Sequence, residues 1–308
     1  MKHEPVLLSE CIEGLNIKPD GIYIDGTLGR GGHTRAIAGR LDSGKIIAID
    51  RDADAIEEAG ELLSEFGATI RLVHGNFKDI QMILDAEGVA AADGMLFDLG
   101  VSSTHLDDGS RGFSYMRDAP LDMRMDKSDE LTAYTVVNFW PEDRLRAVFY
   151  KYGEEKHSGS IARAIVKKRA AAPIETTFGL ADIIIASMPP AARREAQHPA
   201  KRCFQALRIA VNDELGSIGE MLDSAPDRLK AGGRICVISF HSLEDRLVKN
   251  AFNARTKGCV CPKDFPVCVC GVVPTLKMIT KKPIIPGKDE IERNHRSRSA
   301  KLRIAERI

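Results

Sequence analysis

Acidic residues and glycines follow the first two apolar runs of the chain. The run "GIYI" ends at Asp25, and the next run, "KIIAI", ends at Asp50. Glycine lets backbone N–H groups approach a ligand closely because it has no Cβ, and an acid at the end of the second strand can accept both hydroxyls of a ribose. The spacing predicts a nucleotide-like ligand held against the turn formed by Gly26, Gly29, Gly31 and Gly32.

Polar or aromatic residues also follow the next two apolar runs. Asn76 and Phe77 come after "TIRLVHG", and Asp98 ends the run "GMLFD". Ligands of parallel α/β sheets bind at the carboxyl ends of the strands. We therefore expect Asp50, Phe77 and Asp98 to lie at one edge of the sheet, where a purine could stack near Phe77.

Two cofactors fit such an edge, NAD and S-adenosylmethionine. A dinucleotide site has the pattern G-x-G-x-x-G, but in the closest register, Gly29-x-Gly31-x-x-Thr34, the third glycine is missing. Asp25 would repel a pyrophosphate, whereas it suits the cationic amino end of S-adenosylmethionine. The residues favour the methyl donor. Taken alone, the glycines are also compatible with a tight strand-to-helix turn that binds nothing.

The elements that carry these residues alternate between short β-branched runs and helical patterns up to about residue 100. This alternation is typical of an α/β fold with a parallel sheet. From Ser128 to about Leu222 the pattern is almost wholly helical, and strands resume at "GGRICVISF". We predict a sheet domain of residues 1–109 and 216–308, interrupted by a helical substrate-recognition domain of residues 110–215.

Several longer motifs resemble those of a known family. They are "HEPVLL" (3–8), "YIDGTLGRGGH" (23–33), "AIDRD" (48–52), "DLGVSSTHLDDGSRGFSYMRDAPLDMRM" (98–125), "HPAKRCFQALRIAVNDEL" (198–215), "ISFHSLEDR" (238–246) and "RSRSAKLRIAER" (296–307). Together they span nearly the whole chain, which closely resembles the bacterial ribosomal RNA small-subunit methyltransferase H family.

This resemblance implies a class I methyltransferase, with a Rossmann-like sheet and an inserted helical domain. It also implies transfer of a methyl group from S-adenosylmethionine to N4 of a cytidine in the decoding region of 16S rRNA, within the small ribosomal subunit. One position departs from the pattern, because some members carry glutamine where this chain has His105. The residues that the resemblance assigns to the donor are Gly31, Gly32, His33, Asp50, Phe77, Asp98 and His105.

Asp98 is the candidate catalytic residue. Enzymes that methylate exocyclic amines often have Asp or Asn, two prolines and an aromatic after the fourth strand, whereas this chain has "DLGV". The carboxylate is kept and the aromatic is missing. Asp98 could accept from the target amine, bind the donor, or do both in turn, and Ser102 or Ser103 could be the acceptor instead. No dedicated base is required, because an alkylated amine becomes strongly acidic.

Two further motifs allow more than one interpretation. In "SFHSLEDR", Ser242 could cap a helix whose first turn carries Glu244 and Asp245, or His241 and Ser242 could contact the substrate. In "RGFSYMRD", Phe113 and Tyr115 could stack on bases, or the segment could be a salt-bridged lid.

Charge is balanced over the whole chain, with 44 basic and 44 acidic residues, but not locally. Between Arg144 and Arg208, thirteen Lys or Arg face five acids, which predicts an RNA-binding surface on the helical insertion. A solvated helix face is the alternative for a single run such as Lys167, Lys168 and Arg169.

A cysteine cluster remains, "CVCPKDFPVCVC", whose two C-x-C pairs could bind one structural zinc ion or be free thiols. No catalytic metal is expected. The chain has no signal-like or membrane-spanning apolar run, so we expect a cytoplasmic protein without a membrane partner. A DNA amino-methyltransferase is disfavoured, because no prolines follow Asp98; a donor-binding assembly factor without essential catalysis is the other alternative. The cluster comprises Cys259, Cys261, Cys268 and Cys270.

Overall fold

The computed structural model describes residues 5–102, 109–194, 197–258, 267 and 270–308. Its strands are β1 Ile22–Asp25, β2 Lys45–Asp50, β3 Ile70–His74, β4 Ala92–Asp98, β5 Leu229–Ser239, β6 Leu276–Met278 and β7 Lys301–Arg307. They form one sheet in the order β3-β2-β1-β4-β5-β7-β6. Strands β1 to β5 pair in parallel, and β7 is antiparallel to both β5 and β6.

The helices in the described residues precede, connect and flank these strands. In chain order they are α1 Leu8–Leu15, α2 Gly32–Ala38, α3 Ala53–Leu62, α4 Ile80–Ala86, α5 Ala133–Phe139, α6 Glu142–Gly153, α7 Ser158–Arg169, α8 Thr177–Ser187, α9 Lys201–Asn212, α10 Glu214–Ser224, α11 Ser242–Thr256 and α12 Lys288–Arg293.

Both faces of the sheet are buried, because successive residues of a strand point to opposite sides. On one face Ile46 and Leu96 pack with apolar residues of α1 and α2. On the other face Ile47 and Met95 pack with residues of α4, α10 and α11. Continuous apolar strands therefore supply two cores, and every loop after a parallel strand emerges at the same edge of the sheet.

The chain divides into two compact units. The first comprises Met1–Gly100 and Leu215–Ile308, and the second comprises Val101–Glu214. The second unit has its own core, to which α6 contributes Leu145, Val148 and Phe149 at helical spacing.

The predicted α/β fold with an inserted helical unit is confirmed. The second unit runs from Val101 to Glu214, and the substrate-recognition domain of residues 110–215 stays a prediction. No helix in the described parts of the chain is long and apolar enough to span a membrane.

Candidate active site

The glycine turn after β1 requires glycine for two reasons. Gly29 and Gly31 have φ values of 49° and 74°, in the left-handed region that a side chain disfavours. A Cβ on Gly31 would lie 2.7 Å from Cδ1 of Leu63, whereas a Cβ on Gly29 would have no atom of the described residues within 4 Å. Gly31 is therefore packed against the protein, and Gly29 leaves open space beside the turn.

Asp50 joins the end of β2 to this turn. Its Oδ2 accepts a hydrogen bond from Gly29 N at 2.8 Å, and its Oδ1 accepts one from Asp52 N at 2.9 Å. A carboxylate oxygen has two lone pairs, so each oxygen can accept a second hydrogen bond. The carboxylate is thus held in one orientation at the carboxyl edge and can also accept from hydroxyl groups.

Asp25 is buried inside the protein, although the sequence suggested that its carboxylate contacts a ligand. It is only 1% exposed, and its oxygens accept from Thr27 N at 3.1 Å and from Thr34 Oγ1 at 2.7 Å. Burial raises its pKa, and the hydrogen bonds from Thr34 and Thr27 oppose that rise. The suggested direct contact with a cationic amino group is therefore wrong for this structure, because the carboxylate is buried and braces the turn from within.

Asp98 ends β4 beside the glycine turn. Its N–H donates to Thr27 Oγ1 at 2.6 Å, which couples its position to the turn. Its side chain is 25% exposed, yet its Oδ1 is buried and has no hydrogen-bond partner among the described residues. Burial raises the pKa of Asp98 well above its usual range, and the charges of Asp25 and Glu244 raise it further. A buried carboxyl oxygen without a donor is costly unless a ligand provides one.

His33 lies close to Asp98, and Phe77 follows β3 at the same edge of the sheet. Nε2 of His33 is 3.0 Å from the carbonyl oxygen of Val6, so this nitrogen carries the proton, and Nδ1 is 3.9 Å from Oδ2 of Asp98. Phe77 begins a short 3-10 turn after β3, and its ring contacts Phe97 edge-on with centroids 5.9 Å apart.

The structure thus brings six of the seven predicted donor residues to the carboxyl edge of β1 to β4: Gly31, Gly32, His33, Asp50, Phe77 and Asp98. Their contact with a donor stays a prediction. His105 and the alternative acceptor Ser103 lie outside the described residues.

The turn between β5 and α11 reaches the same edge. Glu244, which is 0% exposed, accepts from Phe240 N at 2.7 Å and from His241 N at 3.1 Å. Nδ1 of His241 accepts from Glu244 N at 3.4 Å in return, which completes a reciprocal capping box. The helix cap is therefore His241 rather than Ser242. Sequence patterns did not indicate this because histidine is not a usual cap; the glutamate three residues later was the available signal.

Thr27 is a site residue that sequence reasoning overlooked, whereas Glu244 was named only as an acid in the first turn of a helix. Thr27 connects Asp25 to Asp98, and Glu244 supplies charge beside Asp98. A threonine in a glycine-rich turn carries no distinctive signal, since its role depends on the pairing of β1 with β4.

The proposed stacking residues of the second unit have other partners. Phe113 is buried in the helical core. Tyr115 stacks on His198, with centroids 4.4 Å apart and planes at 12°, and contacts Phe204 edge-on. Stacking of Phe113 on a base is therefore wrong, because its ring is already covered by protein. Of the cysteine cluster only Cys270 lies within the described residues, so zinc binding stays a prediction.

Some basic residues of the helical unit are tied to backbone carbonyls or paired with an acid. Arg169 donates to the carbonyls of Val137 and Trp140 at 2.6 Å, closing the end of α5. Arg193 binds the carbonyls of Met188 and Ala186 at the end of α8, and Arg208 forms a two-pronged ion pair with Glu214. By contrast, Lys167 and Lys168 on α7 are exposed.

The strand order distinguishes this sheet from the sheet of dinucleotide-binding folds. Dinucleotide-binding sheets follow the order 3-2-1-4-5-6, whereas here an antiparallel β7 lies between β5 and β6. With the glycine turn after β1 and the acid at the end of β2, this order defines a class I methyltransferase, whose methyl donor is S-adenosylmethionine.

The profile of the MraW methylase family matches residues 1–308, and the chain belongs to this family. A protein of Carboxydothermus hydrogenoformans named "Ribosomal RNA small subunit methyltransferase H" is 53% identical over 306 residues, covering 99% of this chain and 98% of the relative. One of the same name from Clostridioides difficile is 53% identical over 307 residues, with 99% of each chain covered. A solved rRNA methylase of Streptococcus thermophilus aligns with 100% of this chain and 99% of its own at 12% identity, with a TM-score of 0.44.

Proposed function

We propose that the protein transfers a methyl group from S-adenosylmethionine to N4 of a cytidine in the decoding region of 16S rRNA, within the small ribosomal subunit. The observation that carries this proposal is the family match over residues 1–308, together with relatives at 53% identity that are named for methylation of small-subunit rRNA. The choice of cytidine N4 rests on the motif resemblance.

The residues at the carboxyl edge fit the donor in three respects. Asp50 has acceptor capacity for ribose hydroxyls, Gly29 leaves open space beside the turn, and Oδ1 of Asp98 lacks a donor among the described residues. In this proposal Phe77 packs against the adenine, and the negative charge of Asp98 attracts the cationic end of the donor. Gly31, Gly32, His33 and His105 complete the set. When bound, the donor supplies a methyl carbon activated by a sulfonium.

Asp98 is also suited to the target amine. The lone pair of cytosine N4 is delocalised into the ring, so attack on a methyl carbon requires the nitrogen to pyramidalise, and an acceptor for one N4–H favours that change. We assign this acceptor to Oδ1 of Asp98. As the new N–C bond forms, the bond between the methyl carbon and sulfur breaks and its electron pair stays on sulfur. N4 becomes acidic, and its proton passes to the carboxylate or to water. Positioning of the two reactants then supplies most of the rate.

The helical unit carries exposed basic side chains suited to phosphates. Arg146 and Lys151 on α6, and Lys167 and Lys168 on α7, are exposed. We propose that they bind rRNA phosphates, since each neutralised phosphate releases counterions. The cytoplasmic location and the absence of a DNA substrate remain predictions.

Transfer of tritium from labelled donor to 30S particles tests the function, with duplex DNA and a reaction without acceptor in parallel. We expect label in 16S rRNA only, recovered as N4-methylcytidine after digestion to nucleosides. Label in DNA would instead support an amino-methyltransferase of DNA. Donor binding without transfer to any acceptor would support an assembly factor.

A further inference from the structure

The segment from Lys281 to Ser299 is basic and has no role in the site described above. It contains six Lys or Arg against three acids, Asp289, Glu290 and Glu292. One of these acids is engaged elsewhere, because Oε1 of Glu290 accepts from Leu7 N at 2.8 Å. We call the six cations the C-terminal basic strip; they are Lys281, Lys282, Lys288, Arg293, Arg296 and Arg298.

Strand pairing places the strip at the active-site edge. Residue Lys301, at the start of β7, pairs with Ser239 at the end of β5, and Ile238 pairs with Asp98. The strip leads directly into Lys301, and an isolated bridge joins Ile284 to Leu302. The strip therefore lies level with the carboxyl ends of β4 and β5, on the far side of β7 from β5.

The backbone of the strip is fixed by specific contacts. Ser297 is fully buried, and its Oγ donates to the carbonyl of Asn294 at 2.8 Å. Asn294 Oδ1 accepts from Arg296 N at 3.2 Å, and Ala300 N donates to Ser297 O at 2.7 Å. These bonds make a compact 3-10 turn, which orders the chain before the side chains meet any partner.

Two cations that follow the strip are paired with an acid. Lys301 and Arg303 form ion pairs with Asp245 at 3.2 Å and 2.7 Å, so they stabilise the fold. Lys281, Lys282 and Arg298 are exposed. The turn thus presents exposed positive charge just before Lys301, whose strand partner is the end of β5, two strands from Asp98.

We propose that the C-terminal basic strip binds phosphates of the RNA segment that flanks the target nucleotide, as a second RNA contact separate from the helical unit. This inference rests on the proposed function, because an RNA substrate is what brings a phosphate chain to this edge. RNA fits better than an acidic peptide or a lipid surface, since the exposed charges lie level with the edge at which a base would be methylated. Binding there holds the flanking backbone while the base enters the site.

Charge reversal tests the strip, with a matched control at the opposite edge. Arg298→Glu is compared with Arg40→Glu; both arginines are exposed, and Arg40 precedes the loop that leads into the amino end of β2. A second variant combines Lys281→Glu with Lys282→Glu. Filter binding to 30S particles and to a 16S rRNA fragment is measured over a range of salt concentrations, with donor affinity measured by calorimetry.

We expect the log–log salt slope to flatten by about 0.7 for Arg298→Glu and about 1.4 for the double variant, at about 0.7 for each phosphate contact with single-stranded RNA. The KM for the particle should rise, while donor affinity and the behaviour of Arg40→Glu stay unchanged. Slopes and affinities equal to those of the unmodified protein in both variants would overturn RNA binding by the strip and leave the proposed function intact. An unmodified protein that binds RNA but labels no particle would overturn the proposed function instead. If instead the variants bind RNA normally but lose binding to phosphatidylserine vesicles, the partner of the strip would be a lipid surface and not RNA.

Discussion

Asp50 and Asp98 lie at neighbouring strand ends but differ in how their oxygens are used. Both oxygens of Asp50 accept backbone N–H groups, whereas Oδ1 of Asp98 accepts from no described residue. A carboxylate held by two backbone donors is oriented before a ligand arrives. A buried oxygen without a donor gains most when a ligand supplies one. The first arrangement suits recognition, and the second suits a group that changes partners during a reaction.

Replacement of Asp50 tests recognition of the donor. Asp50→Ala should weaken S-adenosylmethionine binding by about 1.5–3 kcal/mol, the cost of losing charge-assisted hydrogen bonds. Calorimetry measures the affinity, and a thermal melt verifies folding, because Asp50 also accepts from Gly29 N. Asp42→Ala, an exposed acid before β2, is the control. Equal affinities for the two variants would contradict the assignment.

Asp98→Asn should lower turnover more than donor affinity if the carboxylate also accepts from the target amine. The rate of the unmodified enzyme at low substrate concentration should rise with pH through the raised pKa of Asp98. The ionised carboxylate only accepts hydrogen bonds, whereas the protonated carboxyl group also carries a donor. Single-turnover rates and donor titrations across pH measure both quantities. Equal losses in turnover and affinity would make Asp98 a binding residue only.

The same raised pKa predicts an effect on folding. Ionised Asp98 is less favourable in the folded state than in the unfolded state, so its cost is absent below the ordinary aspartate pKa of 3.8 and is complete above the folded pKa. Asp98→Asn should therefore increase the free energy of unfolding of the ligand-free protein at neutral pH. The gain should shrink as the pH falls toward the ordinary aspartate pKa, because the unfavourable charge is then lost in the folded state. Urea unfolding at neutral pH and near pH 4 measures it, and a gain that persists undiminished at the lower pH would exclude Asp98 ionisation as the cause.

At the scale of elements, two glycines of the turn between β1 and α2 have different roles: Gly31 packs against the protein, and Gly29 leaves space for a ligand. Gly31→Ala should destabilise the fold by about 1–3 kcal/mol, because it combines a left-handed φ with a contact of 2.7 Å to Leu63. Gly29→Ala meets no described atom, so it should cost less in stability and more in donor affinity. Gly219→Ala, in the open on α10, should be neutral or stabilising. Equal losses of stability in the Gly29 and Gly31 variants would contradict this division.

Local patterns predicted the elements better than they predicted side-chain partners. Apolar runs with acids at their ends identified β1, β2 and β4, because burial on both faces leaves a continuous signature in the sequence. The partners of Asp25, Phe113 and His241 depend on residues brought together by folding: Thr34 crosses the turn, the helical core surrounds Phe113, and Glu244 faces His241. No spacing rule specifies these contacts, and in each case the protein itself occupies a group for which the sequence also allowed a ligand.

At the scale of the whole molecule, zero net charge conceals local positive surfaces. Some cations of the helical unit are structural, as Arg169 shows, so a test of RNA binding must leave that residue unchanged. Lys167→Glu combined with Lys168→Glu should flatten the salt slope of 30S binding by about 1.4, at about 0.7 for each contact with single-stranded RNA. Lys249→Glu on α11 is the control, and donor affinity should not change. An unaltered slope would leave the pair as a solvated helix face.

The order of strands along the chain has a consequence for synthesis on the ribosome. Strand β4 ends at Asp98 and its partner β5 begins at Leu229, so roughly 130 residues must be made before that edge is paired. At 5–20 residues per second the delay is roughly 6–26 s. During this time an apolar edge is exposed to other nascent chains, which is a hazard for aggregation. The helical unit has its own core and can fold within the same interval. Emergence of β7 then supplies the antiparallel partner of β5, so residues 1–300 alone should need chaperones far more than residues 1–308 do.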